Sequence, residues 1–111
     1  APLNVCIQVD TDHTGQHGGV QPEEAESLCA VVAGLPGLRL RGLMTIPLPT
    51  ASLEEQRLPF RRLRELRDQL VTSGFTLDTL SMGMTGDLEA AVREGSTMVR
   101  IGTALFGPRP G

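Results

Sequence analysis

The chain has 111 residues, 40% of them hydrophobic and 21% charged, the balance of one globular domain rather than a disordered segment. A net charge of −3 and only three Phe, with no Tyr or Trp, provide neither the clustered basic charge nor the stacking surfaces of a nucleic-acid binder. All ten basic residues are arginine, so no lysine of this chain can form a Schiff base.

Leu3 to Asp10 (L-N-V-C-I-Q-V-D) is a β-rich run that turns polar at its end, the first predicted strand. The loop T-D-H-T-G-Q-H-G-G follows, with three glycines and no periodicity. Pro22 suits the first turn of a helix and Glu23 and Glu24 its positive end. Ala25, Leu28, Cys29 and Val32 then recur at i, i+3, i+4 and i+7. Gly34, Pro36 and Gly37 end that helix.

Leu38 to Ile46 reads as a second strand, broken by P-L-P. Ser52 with Glu55 three residues on is a capping box for a second helix, in which Phe60, Leu63, Leu66 and Leu70 share a side and the arginines fall mostly elsewhere. Pro59 either kinks this helix or marks its start. Thr76 to Gly83 is a third strand. Thr85 can cap a short helix through Leu88, Ala91 and Val92 that Gly95 ends, and Thr97 to Gly102 is a fourth strand.

Strand and helix alternate throughout, which implies parallel strands joined by crossover helices. Four strands and three helices are too few for a closed eight-stranded barrel, which takes about 250 residues. The chain is therefore either a small open sheet or a partial, half TIM barrel, and its abrupt start and stop at strands favour a fragment. No apolar run approaches a membrane span, and the start does not read as a signal peptide. Cys6, in an apolar run, and Cys29, on a helix face, are expected to be reduced core residues of a cytoplasmic protein.

In parallel α/β folds ligands bind at the carboxyl ends of strands. After the third strand, S-M-G-M-T-G-D offers the hydroxyls of Ser81 and Thr85, two glycines and a helix start, which suits an anion. After the fourth comes G-T-A-L-F-G, beginning with Gly102 and Thr103. Each loop alone also reads as an ordinary glycine turn or helix cap. As neighbours beside Arg100, the pair favours phosphate binding. Alternation puts Arg100 and Gly102 on one face of the last strand and Val99 and Ile101 on the other. An arginine in so apolar a run either serves a ligand or is paired with a buried acid. Residues 10 to 17 hold two aspartates and two histidines, but the spacing matches no specific metal site and no metal is expected. No convincing general base appears at the strand ends; His13 and His17 are the weak candidates.

At L-N-V-C-I-Q-V, R-G-L-M-T-I-P, L-S-M-G-M-T-G-D-L-E-A-A-V and G-S-T-M-V-R-I-G-T-A-L-F-G the chain resembles the pyridoxal-phosphate homeostasis proteins, the YggS/PROSC family. The resemblance runs nearly the whole length, and its last two motifs are the most specific. It implies a single-domain barrel of the alanine-racemase N-terminal-domain type, of which residues 1–111 are the C-terminal half. It further implies that Ser81, Thr85, Gly102 and Thr103 hold the phosphate of pyridoxal phosphate and that Arg100 contacts the pyridine nitrogen. A guanidinium keeps its proton, so the ring nitrogen would carry none and the cofactor would be a weaker electron sink. Such a protein carries or buffers the cofactor in intracellular vitamin B6 and amino-acid homeostasis, without established catalysis.

The chain departs from the family in places. The strand carrying the family's Schiff-base lysine is absent, Thr85 replaces a usual serine, and Asp10 stands where Asn is common. His17 stands where many members have lysine, and F-G-P-R-P-G lacks the usual final tyrosine. The resemblance leaves two other readings open: a fragment of a pyridoxal-phosphate racemase-like or sugar-phosphate barrel enzyme, or a structural fragment that associates with itself. Half a barrel has two exposed sheet edges, so a homo-oligomer of at least two chains is expected, with a small-molecule cofactor as partner and neither nucleic acid nor membrane.

Overall fold

The structure is a computed structural model and describes residues 2–12, 18–48, 50, 52–84 and 87–100. Four strands, β1 (Leu3–Gln8), β2 (Leu38–Met44), β3 (Thr79–Met84) and β4 (Met98–Arg100), lie side by side in the order β1-β2-β3-β4. All three pairings are parallel. The connections carry helices α1 (Ala25–Ala33), α2 (Leu53–Thr72) and α3 (Leu88–Arg93), with a short 3-10 turn at Pro22–Glu24. A sequential parallel sheet with a helix in each crossover is the architecture that the alternating pattern implies.

The expected strands are each trimmed at an end. β1 stops at Gln8; beyond it Val9 pairs with Val20, whose backbone bonds to Gln8 and Asp10 on the outer edge of the strand. β2 ends at Met44 rather than Ile46, and β3 begins at Thr79 rather than Thr76. Leu77 is nonetheless buried, and the Asp78 amide donates to the Arg41 carbonyl, so the segment before β3 is already docked. Pro59 does not start α2: the helix begins after Ser52, whose hydroxyl accepts the Glu55 amide at 3.0 Å, and runs on through the proline. Pro59 is buried on that helix, and tertiary packing there outweighs the backbone hydrogen bond that proline cannot donate.

Register explains which face is which. Ile7, Leu43 and Leu80 form one row across β1, β2 and β3, and all three are buried. Against that row pack Cys29 of α1, Phe60, Leu63 and Leu70 of α2, and Ala90 and Ala91 of α3, with Leu28, Val32 and Leu66 at the margin. The helices therefore cover the sheet face that carries the alternate residues 7, 43 and 80. Burying side chains of this size contributes about 2 kcal/mol each, which is why α2 forms despite nine charged residues along its length.

Candidate functional site

The opposite face carries the intervening residues. Cys6, Gly42 and Thr79 make one row and Gln8, Met44 and Ser81 the next. Asn4, Val5, Cys6, Arg41, Thr79 and Ser81 line a cleft of about 430 Å³ there. Burial pushes the Cys6 thiol up, the nearby Asp78 adds to this and Arg41 opposes it; burial likewise raises Cys29. Both cysteines are free thiols, neither held as a reactive thiolate.

At the edge of that cleft Arg41 forms an ion pair. Arg41 is the extra residue of a bulge, since Val5 pairs with Leu40 and Cys6 already with Gly42. Its Nε and Nη2 donate to the two carboxylate oxygens of Asp78 at 3.1 and 2.6 Å. Those hydrogen bonds, with one from the Thr79 hydroxyl, hold the Asp78 carboxyl down from 3.8 to about 2.

At the other end, where the strands finish, a set of buried polar groups ties the loops together. The Thr11 and Thr45 hydroxyls lie 2.8 Å apart, Thr45 donates to the Val9 carbonyl at 3.0 Å, and the Thr45 amide donates to the Ser81 carbonyl at 3.3 Å. Asp10 accepts from the Gln21 side chain and the Asp12 amide, and Asp12 accepts from the Leu48 amide at 2.7 Å. Arg62 of α2 donates to the Thr11 carbonyl at 3.0 Å. The aspartates of the His/Asp-rich loop thus brace backbone; His13 and His17 lie outside the described residues.

Ser81 is nearly buried, on the helix-free row between β2 and β4. Two residues on, Gly83 takes φ +104°, a conformation that favours glycine, and the strand bulges: Ser81 pairs with Met98, but Met84 pairs with Arg100. Bulges of this kind re-aim a strand end. β3 and β4 are neighbours, paired at Met84 and Arg100. Arg100 lies in β4, within the expected fourth strand, while the facing of its side chain, and Thr85, Gly102 and Thr103 altogether, lie outside the described features.

One cluster was not foreseen from the sequence. Glu94, directly after α3, is 1% exposed, and three arginines of α2 converge on it. Arg57 Nε donates to it at 2.6 Å, Arg61 Nη2 lies at 3.4 Å and Arg64 Nη2 at 3.4 Å. Burial works to raise the Glu94 carboxyl, but the hydrogen bonds from Arg57 and Arg61 prevail and it titrates below its ordinary range. The spacing of residues 57, 61 and 64 marks one helix stripe, a signal for a shared partner, though nothing in the sequence says which acid meets it.

The model of the family described as alanine racemase, N-terminal domain, matches residues 1–110. The chain belongs to that family. Among curated proteins, this alanine racemase N-terminal domain chain is 56% identical over 108 residues to a pyridoxal phosphate homeostasis protein of Pseudomonas aeruginosa, covering 97% of the chain and 46% of the relative. To the protein of the same name from Haemophilus influenzae it is 51% identical over 111 residues, 98% of the chain and 47% of the relative. Its fold matches PipY of Synechococcus elongatus, solved with pyridoxal phosphate bound, with a TM-score of 0.79 at 32% identity, over 94% of this chain and 49% of that one. The domain thus spans about half the length of the curated relatives it matches.

Proposed function

We propose that residues 1–111 are the C-terminal half of a pyridoxal-phosphate-binding barrel, in a protein of intracellular vitamin B6 and amino-acid homeostasis. The observation that carries this reading is the match, over 94% of the chain, to a relative solved with the cofactor bound. A sequential parallel sheet with helices on one face and a mixed face bearing Gln8, Met44, Thr79 and Ser81 on the other supports the half barrel, the inner wall being the row of Gln8 and Ser81.

In this reading Ser81 and Thr85, after β3, and Gly102 and Thr103, after β4, hold the phosphate. Ser81 with the left-handed Gly83 bulge fits such a role, since a bulged strand end leaves backbone N–H groups to face an anion. Arg100 faces the pyridine nitrogen and, being permanently protonated, leaves it without a proton. Bound pyridoxal phosphate supplies an aldehyde and an electron-withdrawing ring. The chain's own groups bind and orient; no lysine is present to attach the aldehyde and no general base stands at the described strand ends, so the role is carriage rather than catalysis. The two sheet edges of the half barrel are proposed to associate with a second copy when the chain is alone.

An absorbance titration with pyridoxal phosphate tests the reading. The full-length gene product should develop a covalent-adduct band, and this lysine-free chain should not. Replacement Arg100→Gln in the full-length protein should weaken cofactor retention about tenfold, as loss of a charged hydrogen bond does. Unchanged retention would remove the role given to Arg100.

A further inference from the structure

We propose that the hydroxyls of Ser96 and Thr97 clamp β4 onto β3 in one register and are positioning residues for Arg100 and the two phosphate loops, an inference that rests on the cofactor reading above. The two residues lie in the turn between α3 and β4. The Ser96 amide donates to the Ala91 carbonyl at 3.0 Å, which holds the turn against α3. From there its hydroxyl donates to the Met82 carbonyl at 2.7 Å, with the Leu80 carbonyl at 3.3 Å. Thr97 grips Leu80 from both sides: its amide donates to the Leu80 carbonyl at 3.0 Å and its hydroxyl accepts the Leu80 amide at 2.8 Å. A side-chain oxygen thus takes the place of a strand carbonyl in the ladder.

The need for such a clamp follows from the pairing. Between the two described pairings of β4 with β3 lies the bulge: from Ser81 to Met84 is three steps, while Met98 to Arg100 is two. Bulging interrupts the ladder there, so backbone bonds alone specify the register of β4 only weakly across it. Side chains alternate along a strand, and a slip of one residue would exchange the face of Arg100 with that of Val99. The hydroxyl and amide contacts hold Leu80, which precedes the bulge, and Met82, which lies within it, and so carry the register across the irregularity.

The clamp is tested in the full-length protein with Thr97→Val, which keeps the shape but not the hydroxyl, Thr97→Ser, which keeps the hydroxyl, and the double variant Ser96→Ala/Thr97→Val. Two readouts are taken: cross-strand NMR contacts for Ser81–Met98 and Met84–Arg100, and pyridoxal phosphate affinity by equilibrium dialysis. The double variant should lose both contacts while the β2–β3 contact between Leu43 and Leu80 persists, and should bind the cofactor about tenfold more weakly, the scale of one or two hydrogen bonds. Thr97→Ser should restore both readouts, a rescue that a packing role would not give. Retained contacts, or lost contacts with unchanged affinity, would overturn the proposal. If the double variant does not fold, the Thr97→Val and Thr97→Ser pair decides, and equal behaviour of the two overturns it. A wild-type protein that binds no pyridoxal phosphate refutes the cofactor reading instead, and the NMR contacts still decide the clamp.

Discussion

Asp78 takes both carboxylate hydrogen bonds from one guanidinium, at the edge of a cleft rather than in the core. With its folded value near 2 against an ordinary 3.8, ionised Asp78 stabilises the fold above the ordinary value, and that contribution is lost as pH falls through about 2. An NMR titration of the Asp78 carboxyl in Arg41→Gln should show its midpoint back toward 3.8; a midpoint still near 2 would mean another group holds it down. Glu94 is the costlier residue to lose. Glu94→Gln leaves Arg57, Arg61 and Arg64 facing one another without their shared carboxylate. Breaking a buried pair costs about 3–5 kcal/mol, but these guanidinium groups reach water, so about 2–3 kcal/mol is expected in urea unfolding. Its lowered carboxyl has the same sign as Asp78: the contribution is present at neutral pH and lost on acidification. Neither pair was legible in the sequence, because partners 37 residues apart meet through the fold and not through spacing.

Between elements, β2 comes close to β3 at Gly42. A Cβ on Gly42 would lie 1.7 Å from the Thr79 carbonyl oxygen, which is backbone and cannot rotate away. Gly42→Ala should therefore cost about 2 kcal/mol or more, seen as a lower unfolding midpoint with loss of amide protection in β2 and β3 before the α2 helix. A midpoint within a few tenths of a kcal/mol of wild type would show that the strands separate freely. The helices were the most legible elements. The stripe of Phe60, Leu63, Leu66 and Leu70 pointed to the face that α2 buries, and the spacing of Ala25, Leu28, Cys29 and Val32 did so for α1. Strand ends were less so: an apolar run does not say where ladder pairing stops, and both bulges depend on the neighbouring strand.

At the scale of the whole molecule, β1 is an edge strand of the described sheet, and Leu3 and Val31 are 69% and 59% exposed. Val20 covers the carboxyl end of that edge, yet apolar surface remains along β1 and α1. Light scattering should return at least twice the mass of a single chain, and a monodisperse monomer at high concentration would refute the proposed self-association. No helix among the described residues is long and apolar enough to cross a membrane. The alternation of strand and helix, the buried faces of α1 and α2 and the family motifs were all readable from the linear chain, because each depends on residues within a turn or two of one another. The Glu94 arginine cage, the Arg41 bulge with its aspartate and the grip of Ser96 and Thr97 on β3 were not. Each joins residues far apart in the chain, and their distances exist only once parallel pairing has brought the strands and helices together.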